Sequence, residues 1–330
     1  MKALVIGTGS VGKRHINNLI SSGIEVISFS YRNSTLTEFR GKKKESFSCS
    51  ESEALKEHYD FIVISNTTDK HIDTAIKAAK LSRNIYLEKP ISNSLDRTNE
   101  LIEIVKSKKL ILDAGFILRS HPNLLWIEKF IQSNHLGNLL YADVSAGHLL
   151  SEWRPETDYR ESYSALKDMG GGVIFDLIHE IDIVYWLFGE IKEVSCMIQN
   201  VSFLKIETES IANILMRLKS KQVIHTKIDY VRPNYSRKVE IVFENAIIYW
   251  DYLEGEVFLE EKGKDAILVN STPKGFKRND IFLMHLNLFI SKLKQPYKED
   301  SSTLKDACEV LKVALAAHES AKKNKIIFIS

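Results

Sequence analysis

Several large classes of protein are excluded by what this sequence has little of. Its 330 residues include only three cysteines, Cys49, Cys196 and Cys308, far apart and without metal-ligand or redox spacing. The expectation is no bound metal, no disulfide framework, and free thiols of the kind that persist in a reducing cytoplasm. Net charge is also small: 45 basic against 43 acidic side chains leave +2. Such a balance gives no electrostatic reason to expect nucleic acid or an anionic membrane as partner. Lys42-Lys43-Lys44 is a short basic run that reads as a solvated loop, and Ser46 to Ser52 reads as a serine-rich loop. No apolar run approaches the ~20 residues that cross a bilayer. No secretory leader is read at the N-terminus, and there is no internal repeat or low-complexity tract. A cytoplasmic protein long enough for two domains is the expectation.

What is present begins at once. Lys2 to Ile6 reads as a strand running into Gly7-Thr8-Gly9-Ser10-Val11-Gly12, with a helix from Val11 to Ser22 and a second strand from Ile24 to Ser30. Gly-x-Gly-x-x-Gly between a strand and a helix is a dinucleotide-binding turn. The glycines permit a tight turn, the passage of a pyrophosphate and close helix–strand contact, with the phosphates at the positive helix end. Gly7, Gly9, Ser10, Val11 and Gly12 are the expected cofactor contacts. An NAD-type site places Asp or Glu at the end of the second strand, whereas this chain has Ser30-Tyr31-Arg32-Asn33. Ser30 and Arg32 suit a 2′-phosphate, so the cofactor expected is NAD(P) with a lean to NADP.

Further strands are read at Asp60–Ser65, Asn84–Leu87 and Leu110–Ala114, alternating with helices at Ile72–Lys80 and Leu95–Lys106. Ligands of open parallel sheets bind off the carboxyl ends of strands, which places Asn66, Thr67, His71, Glu88 and Lys89 at the cofactor. Proline at position 90 biases Lys89 away from the α region. Beyond residue 120 the alternation stops. A helix (Leu124–Gln132) and a strand (Leu139–Leu150) lead to a loop, Trp153 to Tyr163, dense in aromatic and guanidinium groups. Such groups stack on sugar rings and bind anions, so Trp153, Arg154, Tyr159, Arg160 and Tyr163 are candidate substrate contacts.

Next comes Gly170-Gly171-Gly172, followed by one expected helix from Val173 to Phe188 that carries Asp176, His179 and Asp182 along one side. Acids and an imidazole on an apolar helix are costly unless they have partners or a task. Six strands between Glu193 and Glu261, separated by short polar breaks, predict a mostly antiparallel sheet. Tyr235, His225 and Arg237 on those strands carry no recognisable spacing and read as structural. The fold class read is α/β: an N-terminal Rossmann parallel sheet (1–120), then an α+β domain (121–330) with a large, mostly antiparallel sheet.

Four blocks occur in one order: the Gly7–Gly12 turn, Glu88-Lys89-Pro90, Gly-Phe-x-x-Arg-x-x-Pro from Gly115 to Pro122, and Gly-Gly-Gly…Asp…His…Asp. In them the chain resembles the glucose–fructose oxidoreductase / inositol dehydrogenase / MocA (Gfo/Idh/MocA) family. The closing segments Asp306–Lys322 and Lys325–Ile329 are similar to that family's C-terminus. The resemblance implies a catalytic group of Lys89, Asp176 and His179, with Asp176 and His179 also touching substrate beside Arg119 of the third block. Most of the family spaces the acid and histidine by four residues; here the spacing is three, as in a subset with a Trp-Arg-Pro…Asp-Tyr-Arg loop associated with bacterial surface-sugar metabolism. Three residues turn a helix by about 300° and four by about 400°, so the division of roles between Asp176 and His179 stays open.

The chemistry implied is hydride transfer to or from a secondary alcohol or ketone of a sugar, amino sugar, polyol or nucleotide sugar. His179 serves as base, and Lys89 stabilises charge on the reacting oxygen. Two rivals stand beside it: an enzyme with permanently bound NAD that uses transient oxidation, and a non-catalytic nucleotide-sensing regulator. The assembly expected is a homodimer or homotetramer through the C-terminal sheet.

Overall fold

The computed structural model describes residues 1–40, 43–133, 136–295 and 302–329. They form two compact units, one of Met1–Phe116 with Arg278–Cys308, the other of Ile117–Lys277 with Glu309–Ser330. The first unit thus takes in a later segment, Arg278–Cys308, beside the residues up to Phe116. The chain returns to the first unit through the helix Arg278–Leu293, whose Leu286, Phe289 and Ile290 are buried against Val5, Leu19 and Phe61.

The first unit holds β1 (Lys2–Ile6), β2 (Glu25–Ser30), β3 (Thr35–Arg40), β4 (Lys43–Ser48), β5 (Phe61–Ile64), β6 (Asn84–Leu87) and β7 (Leu112–Ala114). Their order is β4-β3-β2-β1-β5-β6-β7. Strands β2, β1, β5, β6 and β7 pair in parallel. Parallel strands are covered on both faces, which is why β1 and β5 read as continuous apolar runs. The helices are α1 (Ser10–Ser21), α2 (Glu51–Lys56), α3 (Thr68–Lys80) and α4 (Thr98–Ser107). Between β2 and α2, β3 and β4 form an antiparallel hairpin on the sheet's edge. Sequence reading misses this hairpin because its strands are short and polar. Lys43 and Lys44 lie in β4, not in a loop, and Lys42 falls outside the described residues. The serine-rich stretch likewise ends in structure: Ser50 caps α2 in a reciprocal capping box with Glu53.

The second unit holds α5 (Pro122–Ile131), β8 (Leu139–Gly147), α6 (Val173–Asp176), α7 (His179–Phe188), β9 (Ile191–Gln199), β10 (Ile211–Leu218), β11 (Val223–Asp229), β12 (Ser236–Phe243), β13 (Ala246–Asp251), β14 (Glu256–Glu261), β15 (Ile267–Ser271) and β16 (Ile327–Phe328). The nine strands run β15-β14-β13-β12-β8-β11-β10-β9-β16, and β8–β11 is the parallel pair in an otherwise antiparallel sheet. In β10, Ala212, Ile214, Met216 and Leu218 are buried, while Asn213, Leu215 and Arg217 alternate to the open face. Register continues that open face through His225, Asp143, Glu240, Tyr249 and Phe258. The covered face carries α7 on β8 and β11. The helix Ser302–Lys323 reaches the sheet where the Ser320 hydroxyl accepts the Cys196 amide at 2.9 Å.

The single helix expected over Val173–Phe188 is two helices. Leu177, at φ −101° and ψ 32°, ends α6, and the Glu180 amide bonds the Leu177 carbonyl three residues back. The chain tightens there to a 3-10 pattern, so Asp176 closes one helix and His179 opens the next. The rotation argument for a three-residue spacing does not apply across this break.

Candidate active site

In the first unit the glycine turn divides by task. Gly7 has φ +97°, and a Cβ there would lie 2.5 Å from the Asn66 nitrogen. A Cβ on Gly12 would fall 1.9 Å from the Gly7 carbonyl oxygen. Both are glycine because protein fills the space. Gly9 is different: a Cβ there meets nothing within 4 Å. It precedes α1, whose N-terminus has no side-chain cap and no acidic residue in its first turn. Leading amides of a helix need acceptors. Here the exposed Ser10 and half-buried Val11 border open space, and these residues fit a pyrophosphate.

Below that helix, Glu88 is buried and its Oε1 lies 2.6 Å from His15 Nε2 on α1. Burial raises the Glu88 carboxyl, but the His15 hydrogen bond and the charges of His15, Lys89 and His71 outweigh it, so it lies below the usual range. Gly115 is packed against it, 2.9 Å from the carboxyl where its Cβ would be. The Glu88 side chain therefore ties β6 to α1 instead of being presented as a cofactor contact. His71 also departs from expectation. Its two ring nitrogens face the carbonyls of Pro90 (2.7 Å) and Asn66 (3.1 Å), and it is buried. It fastens together the loops that follow β5 and β6, while Lys89 stays half-buried beside a cis Pro90.

At the end of β2, Ser30 is half-buried and Arg32 exposed, with no carboxylate between them. Tyr31, which sequence reading passes over, donates to Glu51 Oε1 at 2.5 Å, and the Asn66 amide donates to its hydroxyl at 3.3 Å. Burial first, then the Glu51 hydrogen bond, pushes the Tyr31 phenol up. Lys77 pairs with Glu51 at 2.6 Å, so the acid that reaches this end from α2 carries its own counter-charge. Among the described residues Asn66 Oδ1 is buried with no hydrogen-bond partner, and Thr67 stands at the N-cap of α3 without a side-chain cap.

In the second unit the side chains gather on Asp176, which is buried at the end of α6. Tyr230, just past β11, donates its hydroxyl to Asp176 Oδ2 at 2.6 Å. Burial, then the nearby Asp176 charge, pushes the Tyr163 phenol up. Trp153 lies edge-on to Tyr230 with centroids 5.3 Å apart, and its indole donates to the His148 carbonyl. The Arg154 guanidinium sits 5.2 Å over the Tyr163 ring. Trp153 thus reaches Tyr230, the donor to Asp176, Arg154 covers Tyr163, and His179 opens α7 three residues after Asp176.

The rest of the expected set is engaged elsewhere. Arg160 pairs with Asp158 at 2.5 Å on the surface. Tyr159 donates to the Leu204 carbonyl at 3.0 Å and anchors the loop. Arg119 clamps Asp182 through Nε at 3.1 Å and Nη2 at 2.6 Å. Glu180 and Arg237 form a second buried pair at 2.6 Å. Arg119 and Asp182 thus form a bidentate ion pair that braces α7. Tyr230 is the residue that sequence reading misses here. It follows a strand with no local motif, and only the fold brings it to Asp176.

Residues 1–116 match the sequence model of the oxidoreductase family with an NAD-binding Rossmann fold, and residues 125–249 match the GFO/IDH/MocA C-terminal domain. The chain belongs to the Gfo/Idh/MocA family. Among characterised relatives it is similar to scyllo-inositol 2-dehydrogenase (NAD(+)) of Bacillus subtilis, at 28% identity over 201 residues, 59% of this chain and 56% of that protein. It is also similar to 2,7-anhydro-N-acetylneuraminate hydratase of Escherichia coli, at 27% over 139 residues, 42% of this chain and 36% of that protein. The chain thus spans about a third to just over half the length of these curated relatives. In fold it is similar to levoglucosan dehydrogenase in complex with NADH and L-sorbose, at a TM-score of 0.83 and 16% identity, covering 100% of this chain and 99% of that one. Among the described residues no cluster could hold a metal ion, and no helix is long and apolar enough to cross a membrane.

Proposed function

We propose that this Gfo/Idh/MocA protein is an NAD(P)-dependent dehydrogenase or reductase of a secondary alcohol or ketone on a sugar, amino sugar, polyol or nucleotide sugar. The observation that carries the reading is Asp176, a buried carboxylate that accepts the Tyr230 hydroxyl three residues before His179, with Tyr163 close enough to feel its charge. A bound nicotinamide would supply the hydride acceptor or donor. Gly9, Ser10, Val11 and the Asn66–Thr67 turn would hold its phosphates and ribose. In the oxidation direction His179 takes the hydroxyl proton of the substrate. Lys89 donates a hydrogen bond to the reacting oxygen and stabilises negative charge there. Asp176, held by Tyr230, orients the substrate hydroxyls, and Trp153 and Arg154 line the sugar's approach.

The lean to NADP rests on Ser30 and Arg32 at the end of β2 and on the neutralised Glu51. Arg32→Ala weakens NADP more than NAD in a calorimetric titration, and an NAD preference in the wild type overturns it. A cytoplasmic location fits the three free thiols. A second copy of the chain is proposed to cover the open sheet face, where Tyr141, Leu215 and Met197 are exposed. Leu215→Arg then lowers the mass seen by sedimentation.

The deciding experiment is reduction of NADP and NAD across a panel of sugars, polyols and nucleotide sugars, wild type beside Lys89→Ala. The reading expects turnover that Lys89→Ala loses while nucleotide binding persists. A second reading is favoured by the similarity to a hydratase: a nicotinamide held permanently, with transient oxidation serving elimination, epimerisation or glycoside cleavage. Nicotinamide absorbance that survives dialysis selects it.

A further inference from the structure

Behind Asp176 lies an acid that this chemistry does not use. Glu209 precedes β10 and is 6% exposed. Its Oε1 accepts the Ile174 amide at 3.1 Å, and its backbone carbonyl accepts the Val173 amide at 3.3 Å. These are the first two amides of the four-residue helix that ends on Asp176. Gly172 sits at φ +117°, and a Cβ there would lie 2.3 Å from Glu209 Oε1. The third glycine of the run is therefore where this carboxyl is seated. One residue earlier, the Thr208 hydroxyl donates to the Ser164 carbonyl at 2.9 Å, and the Gly172 amide donates to that carbonyl at 3.1 Å. The same short stretch thus grips both the helix carrying Asp176 and the loop carrying Tyr163.

We propose that Glu209 is a positioning residue for Asp176, holding the Val173 and Ile174 amides so that Asp176 meets Tyr230. The inference rests on the role given to Asp176 above. Facing Glu209 are Asp176 on α6, Lys167 from the turn before the glycines, Tyr230 past β11, Cys196 on β9, and His318 of the C-terminal helix with Nε2 at 4.0 Å. Burial raises the Glu209 carboxyl to about 7; Asp176 adds to the rise, while the amides of Ile174 and Glu209 and the charge of Lys167 oppose it. Burial takes His318 down to about 4, so at neutral pH it brings no counter-charge. Below about pH 7 Glu209 is neutral and tolerates the neighbouring carboxylate. Above it, two buried like charges share the site and the arrangement is disfavoured. Accordingly kcat/KM falls as pH rises through this value.

Glu209→Gln keeps the acceptor oxygen and cannot ionise, whereas Glu209→Ala removes both. The expectation is that Ala lowers kcat by about ten- to a hundredfold through misplacement. Gln recovers most of that loss and lacks the limb near pH 7. An unchanged kcat with the same limb in both variants overturns the proposal. Carbon-13 NMR of the carboxyls in ligand-free protein separates it from the assigned reaction. The Asp176 signal shifts as Glu209 titrates in the wild type and stays flat in Glu209→Gln; an Asp176 signal indifferent to Glu209 overturns the coupling. If the coupling is present and no sugar or polyol is turned over, the positioning stands and the assigned reaction falls.

Discussion

The Tyr230 hydroxyl donates to Asp176 Oδ2 across 2.6 Å, with both side chains buried. A hydrogen bond to a charged group contributes roughly 1.5–3 kcal/mol, and breaking it leaves the carboxylate one donor short. Tyr230→Phe is expected to destabilise the protein by about that amount and to lower kcat, because Asp176 then loses the donor that orients it. Chemical denaturation alongside steady-state kinetics checks both. Lost stability with untouched kcat would reduce the pair to a structural contact.

The glycine turn makes a paired prediction. Gly12→Ala drives a Cβ to 1.9 Å from the Gly7 carbonyl and should unfold or severely distort the first unit. Gly9→Ala meets open space and should keep the wild-type unfolding temperature while losing nicotinamide affinity. A Gly9→Ala protein that binds nucleotide normally would move the pyrophosphate elsewhere.

For the loop, the two arginines part company. Arg154 stacks on Tyr163 beside Asp176, so Arg154→Ala should raise KM for substrate and leave nucleotide affinity unchanged. Arg160 is held by an exposed Asp158, and such pairs contribute little, so Arg160→Ala should change neither kinetics nor stability measurably. Substrate kinetics on the two variants side by side decides it.

The Glu209 carboxyl also predicts a pH dependence of stability. Its value rises from an ordinary 4.5 to about 7 in the folded protein. Between those values the unfolded chain has released the proton and the folded one retains it. Stability therefore falls as pH rises through that window, by roughly 3 kcal/mol from this group, and levels off above about pH 7. Denaturant unfolding from pH 4 to 8 should show this slope reduced in Glu209→Gln. An identical slope in wild type and variant would assign it to other groups.

The sequence carried the parallel half of the first unit, because βαβ units leave local signals: apolar runs, glycines at one turn, helices of plain period. The hairpin β3–β4 left none, being short and polar. The return of Arg278–Leu293 to the first unit is a long-range packing event that no window of sequence contains. At the candidate site, Asp176, His179, Trp153, Arg154 and Tyr163 can be picked out together because they lie within one stretch of sequence. Tyr230 and Glu209 cannot, since only the fold brings Tyr230 to Asp176 and Glu209 to the Val173 and Ile174 amides. For Arg119, Arg160, Glu88 and His71 the sequence shows chemistry that suits a ligand but not the carboxylate, imidazole or carbonyl that the fold places beside each. The break at Leu177 was hidden as well, because nothing in the composition of Val173–Phe188 interrupts a helical pattern.

The central claim is that His179 moves the substrate proton. His179→Asn keeps a hydrogen-bonding nitrogen and removes the titratable group. A positioned general base contributes about 10²- to 10⁴-fold, so kcat should fall by that factor at neutral pH. The limb of the pH profile that reports the imidazole should go with it, while nucleotide affinity holds. The pH–rate profile of His179→Asn beside wild type is therefore the most direct measurement. Near-normal kcat with the limb intact would contradict the account and pass the base's role to Lys89 or Asp176.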